Sequence, residues 1–197
     1  MLRRLIPAVT LIVWACVVGH AQSAKTYKLY SPNQKITLDI RISQKIEYDL
    51  ALNGQPLLRN ATMAMDVDHR KLGSNPQVLS TVPAAVNRQL PVPVPQKFAV
   101  LRENYNELRL NFKDDFAVVF RVYDDGMAYR FETSLAQSEV KVYDEHAALN
   151  FAGDFNVYYP KEDGFFSHNE REFVYLPLKD IPENSVASIP AIVDTKT

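Results

Sequence analysis

The fold is decided by three runs: Asn106-Glu-Leu-Arg-Leu-Asn-Phe112, Phe116-Ala-Val-Val-Phe-Arg-Val-Tyr123 and Met127-Ala-Tyr-Arg-Phe-Glu-Thr133. In the first and third runs apolar residues alternate with polar ones, which is typical of strands with one buried face. The second run is almost continuously apolar, which predicts a strand buried on both faces. Asp125-Gly126 lies between the second and third runs and favours a tight hairpin turn, because both residues tolerate positive φ. The three runs therefore predict an antiparallel meander at the centre of the core.

The same alternation occurs in the part of the chain before this meander. Apolar residues occupy every second position of Ile36–Ile42, and the pattern repeats over residues 46–52. Asn53-Gly54 follows as a strong hairpin signal, and residues 55–70 continue in an extended pattern. Several prolines then fall close together in residues 71–97. Because proline removes donors from a strand ladder, this stretch is predicted to be a long connection with at most a short strand.

Further strand-like segments follow the meander. They lie at residues 140–143, 149–152, 155–159 and 188–193, and residues 175–180 are predicted to be a short strand or a turn. The third of these is predicted to stop at Pro160, and a polar loop with three aromatic residues follows at 161–173. No segment has sustained helical periodicity, so the predicted fold class is an all-β antiparallel sandwich.

Composition and charge limit the class of protein and its partners. The chain has 197 residues, of which 47% are hydrophobic and 23% charged, as in an ordinary globular protein with a core. Ten Tyr and ten Phe beside only six Gly favour β structure. The formal net charge is −1 and basic residues are not clustered, so nucleic acid is not an expected partner.

Residues 1–21 have the pattern of a secretory signal peptide. Arg3 and Arg4 precede an uncharged run, Leu5–Gly19, and Gly19-His20-Ala21 places small residues at positions −3 and −1 of a cleavage site. This pattern predicts export to the periplasm of a Gram-negative bacterium without a stable membrane anchor. An uncleaved anchor helix is the alternative interpretation.

The expected mature domain is residues 22–197. The only cysteine, Cys16, lies in the signal segment, so the mature domain is expected to have neither a disulfide nor a reactive thiol. Lipidation at Cys16 is an alternative fate of the leader. An exported chain without cysteines fits the periplasm better than a disulfide-stapled extracellular module.

Six segments in a fixed order carry a resemblance to a known family. The longest is Phe120-Arg-Val-Tyr-Asp-Asp-Gly-Met-Ala-Tyr-Arg-Phe131. The others are Ser31-Pro-Asn33, Asn53-Gly54, Tyr158-Tyr-Pro160, Ser167-His-Asn-Glu170 and Ile189-Pro-Ala-Ile-Val193. Together they resemble the amino-terminal domain of glycoside hydrolase family 97, over residues 27–193.

The resemblance implies an exported, calcium-dependent enzyme that cleaves α-glucosides or α-galactosides. It implies a β-super-sandwich of the galactose-mutarotase type for this domain. A (β/α)8 barrel with the catalytic carboxylates and a small carboxy-terminal β domain would complete the enzyme. The expected function of this chain is then a non-catalytic domain that supports the barrel, with an α-linked oligosaccharide as a candidate ligand.

In this family the amino-terminal domain also contributes one glutamate to the calcium site, shortly after the strand that resembles Ile189–Val193. The sequence stops at Thr197, before that position. The sandwich is therefore expected to be incomplete at its carboxy-terminal end, with no cofactor in this chain, and no catalytic or metal-binding residue is carried over. An incomplete sandwich exposes a strand edge and apolar surface, so low solubility is expected of the domain alone.

The sequence gives only weak evidence for catalytic or metal-binding residues. A glycosidase needs two carboxylates about 5–9.5 Å apart. The adjacent acidic pairs, Asp114-Asp115, Asp124-Asp125 and Glu162-Asp163, all lie beside turn signals, where aspartate is favoured by local hydrogen bonds. Asp66-Val-Asp68-His69 predicts either a hard-cation site or a solvated strand face. The histidines outside the leader lack the paired spacing of a zinc site: they are His69, His146 and His168.

Two arginines of the central hairpin, Arg121 and Arg130, are candidates for contact with a neighbouring domain or with sugar. Both are predicted to project from one face near Glu132. One interpretation is a cross-strand ion pair on a solvated face, which contributes little to stability. The other is a polar patch that faces the barrel.

The loop at 161–173 supplies the other candidates, Phe165, Phe166 and His168. Aromatic side chains on a polar loop suit packing against a neighbouring domain or stacking on a sugar. The alternative is a small satellite core beneath the loop.

A second hypothesis is a free-standing carbohydrate-binding or mutarotase-like β-sandwich. A mutarotase needs a general acid and a general base on opposite sides of a cleft. This hypothesis predicts that His146 or His168 shares a concave face with a carboxylate.

Overall fold

The computed structural model describes residues 24–95, 97–167 and 170–196. The predicted signal peptide, residues 1–21, and one candidate site residue, His168, lie outside the described residues. Within the described ranges the only helical element is a 3-10 turn, Leu178–Asp180, and strands and turns make up the rest. The predicted all-β class is confirmed.

The described residues form fourteen strands. In chain order they are β1 (Lys25–Tyr30), β2 (Ile36–Ile42), β3 (Ile46–Leu52), β4 (Gln55–Val67), β5 (Arg70–Leu72), β6 (Val78–Pro91), β7 (Val100–Phe112), β8 (Phe116–Tyr123), β9 (Met127–Thr133), β10 (Val142–Ala148), β11 (Asn156–Glu162), β12 (Phe173–Pro177), β13 (Val186–Ala187) and β14 (Ile192–Asp194). Their pairings are antiparallel.

The strands are arranged in three sheets. The first sheet has the order β1-β2-β3-β4-β10, with the short β5 paired to the end of β4. The second sheet has the order β6-β7-β8-β9 and contains the meander predicted from the sequence. The third sheet is built around β11, which pairs with β12 on one side and with β13 and β14 on the other.

The hydrophobic core lies between the inner faces of the first and second sheets. Strict alternation buries one face of β2 and β3 and turns it toward the buried face of β7 and β8. Tyr48, Leu38, Leu110 and Phe120 are among the largest side chains that are fully buried there. Burial of each such side chain contributes about 1.5–3 kcal/mol, so this one interface holds most of the apolar stabilisation of the described chain.

Strand β8 is buried on both faces, as predicted. Its inner face lies in the core, and on its outer face Ala117 and Val119 are only 2% and 3% exposed. Arg109 and Arg130 lie directly opposite Val119 on the two neighbouring strands. Arginine stems can cover apolar surface while their guanidinium groups stay in water, which explains how an outer face without a covering layer is still buried.

The hairpin at Asn53-Gly54 is confirmed. Both residues have positive φ, 50° and 79°, as the tight turn requires. Asp114 and Asp115 also have positive φ, 74° and 60°, in the turn between β7 and β8. The turn interpretation of this acidic pair is therefore confirmed.

The turn between β8 and β9 differs from its prediction. Neither Asp125 nor Gly126 has positive φ. Neighbouring groups hold the turn instead, because the Asp124 carboxylate accepts hydrogen bonds from the backbone N–H of Asn33 at 2.8 Å and from the side-chain amide of Asn104 at 3.2 Å. The hairpin is in the predicted place, but the predicted turn geometry is wrong.

The prediction of a long connection over residues 71–97 is wrong. This stretch contains β6, a 14-residue strand that pairs with β7 from Val78 opposite Phe112 to Pro91 opposite Val100. Strand β6 lies at the edge of the second sheet. An edge strand tolerates proline because nitrogens that face outward need no partner.

Boundaries after the meander also differ from their predictions. Strand β11 does not stop at Pro160 but continues to Glu162, where it pairs with β13. Residues 149–152 form no strand, only a single bridge of Phe151 to Leu58. Residues 175–180 are divided between β12 and the 3-10 turn. The sequence signals therefore placed β11 and β12 but not their ends, and the predicted strand at 149–152 is wrong.

The core assignment predicts that the same substitution, Phe to Ala, lowers the free energy of unfolding strongly at one position and hardly at another. Phe120→Ala removes a fully buried ring and should lower the free energy of unfolding by about 3–5 kcal/mol. Phe166→Ala removes a ring that is fully exposed and should change it by less than about 0.5 kcal/mol. Urea unfolding of both variants measures this difference, and equal effects would contradict the assignment.

Candidate functional site

The predicted site residues lie on two separate surfaces. Arg121 and Arg130 lie on the outer face of the second sheet, and Phe165 and Phe166 lie on the loop after β11. A third feature, a depression beside His146, lies on the outer face of the first sheet.

Arg121 and Arg130 share one face but use different partners. Arg130 forms an ion pair with Glu132 at 2.5 Å, whereas Arg121 forms one with Glu107 on β7 at 2.6 Å. Glu132 also pairs with Arg109. The outer face therefore carries a network of cross-strand and same-strand pairs, and both arginines project from one face as predicted.

Arg121 is held firmly in this network. Its guanidinium group lies 4.4 Å from the centre of the Tyr105 ring, in addition to its bond to Glu107. The Glu107 hydrogen bond is the main cause of a raised pKa for Arg121. The Arg109 guanidinium likewise lowers the pKa of Glu132. The Arg121–Glu107 pair fits the first interpretation, a cross-strand ion pair on the outer face.

Phe165 and Phe166 project from the loop into solvent. Their side chains are 91% and 105% exposed. The satellite-core interpretation of these two rings is therefore wrong. Contact with another domain or with sugar remains the interpretation that their exposure permits.

The rings beside this loop extend the apolar surface across the third sheet. Tyr158 lies opposite Tyr175 on β12 and opposite Ile192 on β14, so the three side chains share one face. The Tyr158 and Tyr175 rings stack with centres 4.1 Å apart. We call this strand face, together with the loop that joins β11 and β12, the aromatic face, and its exposed members are Tyr158, Phe165, Phe166, Phe173, Tyr175 and Ile192.

Glu162 anchors the loop and is a residue that sequence reasoning treated only as part of a turn. Its side chain is 4% exposed. It accepts hydrogen bonds from the hydroxyls of Ser167 at 2.5 Å and Ser188 at 2.8 Å and from Nε of Arg171 at 3.1 Å. These bonds, Ser167 first, lower the pKa of Glu162. The carboxylate therefore ties the loop to the segment that follows β13.

The depression beside His146 has a volume of about 570 Å³. Its floor is the outer face of β4, and His146 and Asp144 of β10 form one wall. The opposite wall comes from residues 44–45 and from residues 71–75 at and after β5. The Nε2 atom of His146 lies 3.1 Å from the hydroxyl of Thr62. His146 thus shares a concave surface with carboxylates, as the second hypothesis predicted.

The hard-cation interpretation of Asp66 and Asp68 is not supported by their positions. Asp66 lines the depression, whereas Asp68 has positive φ in a turn and accepts a hydrogen bond from the backbone N–H of Lys141. His69 stacks on Tyr143 with ring centres 4.1 Å apart. Across the described ranges no three His, Cys, Asp or Glu side chains come together as a metal site.

No helix within the described residues is long and apolar enough to cross a membrane.

A sequence model described as the Glycosyl-hydrolase 97 N-terminal family matches residues 29–197. The chain belongs to this family. The match covers all fourteen strands except the start of β1. The family resemblance stated from the sequence is therefore confirmed.

Similar proteins are much longer than this glycosyl hydrolase 97 N-terminal domain. A retaining alpha-galactosidase of Bacteroides thetaiotaomicron is 29% identical over 183 residues, which cover 88% of this chain and 27% of the relative. Among solved structures, a glycoside hydrolase family 97 enzyme of Pseudoalteromonas sp. strain K8 in complex with acarbose has a TM-score of 0.69 at 16% identity, and 78% of this chain covers 25% of it. A beta-arabinopyranosidase structure has a TM-score of 0.66 at 18% identity, and 75% of this chain covers 26% of it. The structural likeness confirms the fold.

The anchoring role of Glu162 predicts a pH-dependent effect of Glu162→Gln. Because the folded pKa lies below the ordinary value of 4.5, the unfolded chain binds the proton first as pH falls. The stabilisation by the carboxylate is then complete above that value and is lost as pH falls through the folded pKa. The wild type should be more stable than Glu162→Gln at pH 7, and the difference should shrink below pH 4.5.

Chemical denaturation between pH 3 and pH 7 measures that difference. Asp163→Asn is a matched control, because its side chain is 81% exposed and also touches Arg171. It should have an effect below about 0.5 kcal/mol throughout. A wild-type advantage over Glu162→Gln that is equal at both ends of the range would contradict the anchoring role.

Proposed function

We propose that this glycosyl hydrolase 97 N-terminal domain is the non-catalytic support of a (β/α)8 barrel in an exported α-glucoside or α-galactoside hydrolase. The observation that carries the proposal is the aromatic face. It presents six large apolar side chains to solvent, two of them almost completely exposed. Monomeric proteins rarely leave such a patch uncovered, and patches of this kind mark interaction sites.

The greater length of the relatives indicates which partner would cover the aromatic face. The chain spans about a quarter of the proteins it resembles, 27% of the curated relative and 25% of a family 97 structure. The remaining part of such a polypeptide is the proposed partner. The aromatic face lies on β11, β12 and β14, the last strands of the domain, next to the point where a following domain would begin.

The chemistry of the domain fits a supporting role. Asp114 and Asp115 are turn residues with positive φ, and Asp124 holds a turn through its hydrogen bonds. Glu162 and Asp163 are both engaged by Arg171. The three acidic pairs singled out from the sequence lie in turns or are bound by Arg171, and the proposal assigns hydrolysis to the barrel.

Carbohydrate binding by the domain itself is a second candidate function, and the His146 depression favours it. The mutarotase version requires a base opposite the acid. Asp144 lies on the same wall as His146, and the opposite wall carries lysine, amide and hydroxyl side chains but no carboxylate. The depression is therefore better suited to binding a ligand than to moving protons between facing groups.

We place the protein in the periplasm. The support is the leader pattern of residues 1–21 and the absence of cysteine from the sequence after it.

The proposal predicts that one double substitution acts differently in two settings. Phe165→Ala with Phe166→Ala should change the stability of the chain alone by less than about 0.5 kcal/mol. In the complete polypeptide the same change removes two interface rings, and truncation of such anchors costs about 2 kcal/mol or more. Thermal unfolding and hydrolysis of a nitrophenyl α-galactoside measure both settings.

Phe98→Ala is the matched control, since Phe98 is 63% exposed and lies outside the aromatic face. It should have little effect in either setting. Equal effects of the double substitution in the two settings would contradict the docking role. Hydrolysis by the chain alone would contradict the non-catalytic role.

A further inference from the structure

The His146 depression is shaped by a bulge in β4. The register of β4 against β3 shifts between Tyr48 and Leu50, and Asn60 has positive φ there. Arg41 and Asp49 pin the bulge: the backbone N–H of Asn60 donates to Asp49 at 2.6 Å, and Arg41 donates to the Asn60 side chain at 2.8 Å. After the bulge, Met63 points into the core, which turns the even-numbered residues outward to form the floor.

The floor and one wall are built from small residues at close approach. Ala64 belongs to the floor and Gly73 lies beside it. A Cβ atom on Gly73 would lie 3.0 Å from the carbonyl oxygen of Met63 and 3.4 Å from Cα of Ala64. Gly73 also has a φ of +92°, so larger residues are excluded on two grounds. These small residues leave the space open above the sheet.

The charges that line this space are not paired with one another. In register, Asp66 lies between Lys71 on one side and Asp144 on the other. None of the nine ion pairs among the described residues includes Asp66, Asp144, Lys71 or Lys45. Elsewhere on the same face, Arg41 binds Asp49 through two hydrogen bonds of 2.9 and 2.8 Å.

The carboxylate of Asp66 points more specifically to a bound ligand. Its Oδ1 atom is buried and has no hydrogen-bond donor among the described residues. A buried acceptor without a donor costs about 1–3 kcal/mol, and native proteins rarely keep one unless it has a use. A ligand hydroxyl would supply the missing donor. The unpaired lysines opposite would serve ligand oxygens.

We propose that the depression is a binding site for a neutral mono- or disaccharide. Its two lysines and two aspartates cancel in formal charge, which favours a neutral ligand. Amide and hydroxyl groups of Gln44, Asn75, Thr62 and Ser74 complete the lining. Sugar hydroxyls both donate and accept, so such a mixed set can satisfy each of them. A volume of about 570 Å³ lies within the usual range of small-molecule sites, about 300–1,000 Å³.

This inference deepens the second candidate function and does not depend on the docking of the aromatic face. The depression lies on the first sheet, whereas the aromatic face lies on the third. Loss of sugar binding would therefore leave the Phe165 and Phe166 result unchanged, and the two proposals fail separately.

Isothermal titration of the chain from Gln22 onward with glucose, galactose, maltose and melibiose tests the site. At least one of these sugars should bind, and Asp66→Ala and His146→Ala should each weaken it at least tenfold. Lys71 is exposed, so Lys71→Ala keeps the fold and should also weaken binding at least tenfold. Asp39→Ala is the matched control on the same face but outside the depression, and should change affinity less than twofold.

Circular dichroism establishes that each variant is folded. The inference is overturned if the folded chain binds none of the four sugars, or if Lys71→Ala and Asp39→Ala have equal effects. It is also overturned if alanine or glycine betaine binds in place of the sugars, because a zwitterion would then be the ligand.

Discussion

The fold depends on one constraint: the apolar faces of β2 and β3 must be covered by those of β7 and β8. Strands β2, β3 and β7 alternate, and β8 is apolar on both faces, so none of their inner faces can stay in water. Face-to-face packing satisfies both sheets at once and buries Tyr48 and Phe120 fully. The bulge at Asn60 keeps this interface continuous, because it lets Leu58, Ala61 and Met63 all lie in the core.

The outer surfaces then divide into three kinds of chemistry. The outer face of the second sheet pairs its charges, with Arg121 on Glu107 and Arg130 on Glu132. The depression on the first sheet leaves its charges unpaired around Asp66. The third sheet leaves aromatic rings in solvent, with Glu162 holding their loop in place. The charges on the second sheet already have partners within the protein. The unpaired charges of the depression and the exposed rings of the third sheet are the groups that we propose contact a ligand and a neighbouring domain.

Much of the fold could be predicted because alternation and turn chemistry are local. The meander, the Asn53-Gly54 hairpin and the all-β class follow from positions two residues apart. Strand β6 could not, because tolerance of Pro83 depends on an edge position that only the pairing order reveals. The network around Glu162 joins residues up to 26 apart, and the depression depends on a bulge in β4. Exposure of Phe165 and Phe166 was one of several open interpretations, since a loop sequence does not specify what lies beneath it.

Native-state hydrogen exchange of the chain from Gln22 onward tests the central claim most directly. If the interface of the first two sheets is the stabilising unit, amides of β2, β3, β7 and β8 should exchange only through global unfolding and share one opening free energy. Amides of β11 and β12, whose aromatic face is uncovered, should exchange through a smaller opening. A single opening free energy for all of these strands would contradict the account, because the third sheet would then be an integral part of the same core.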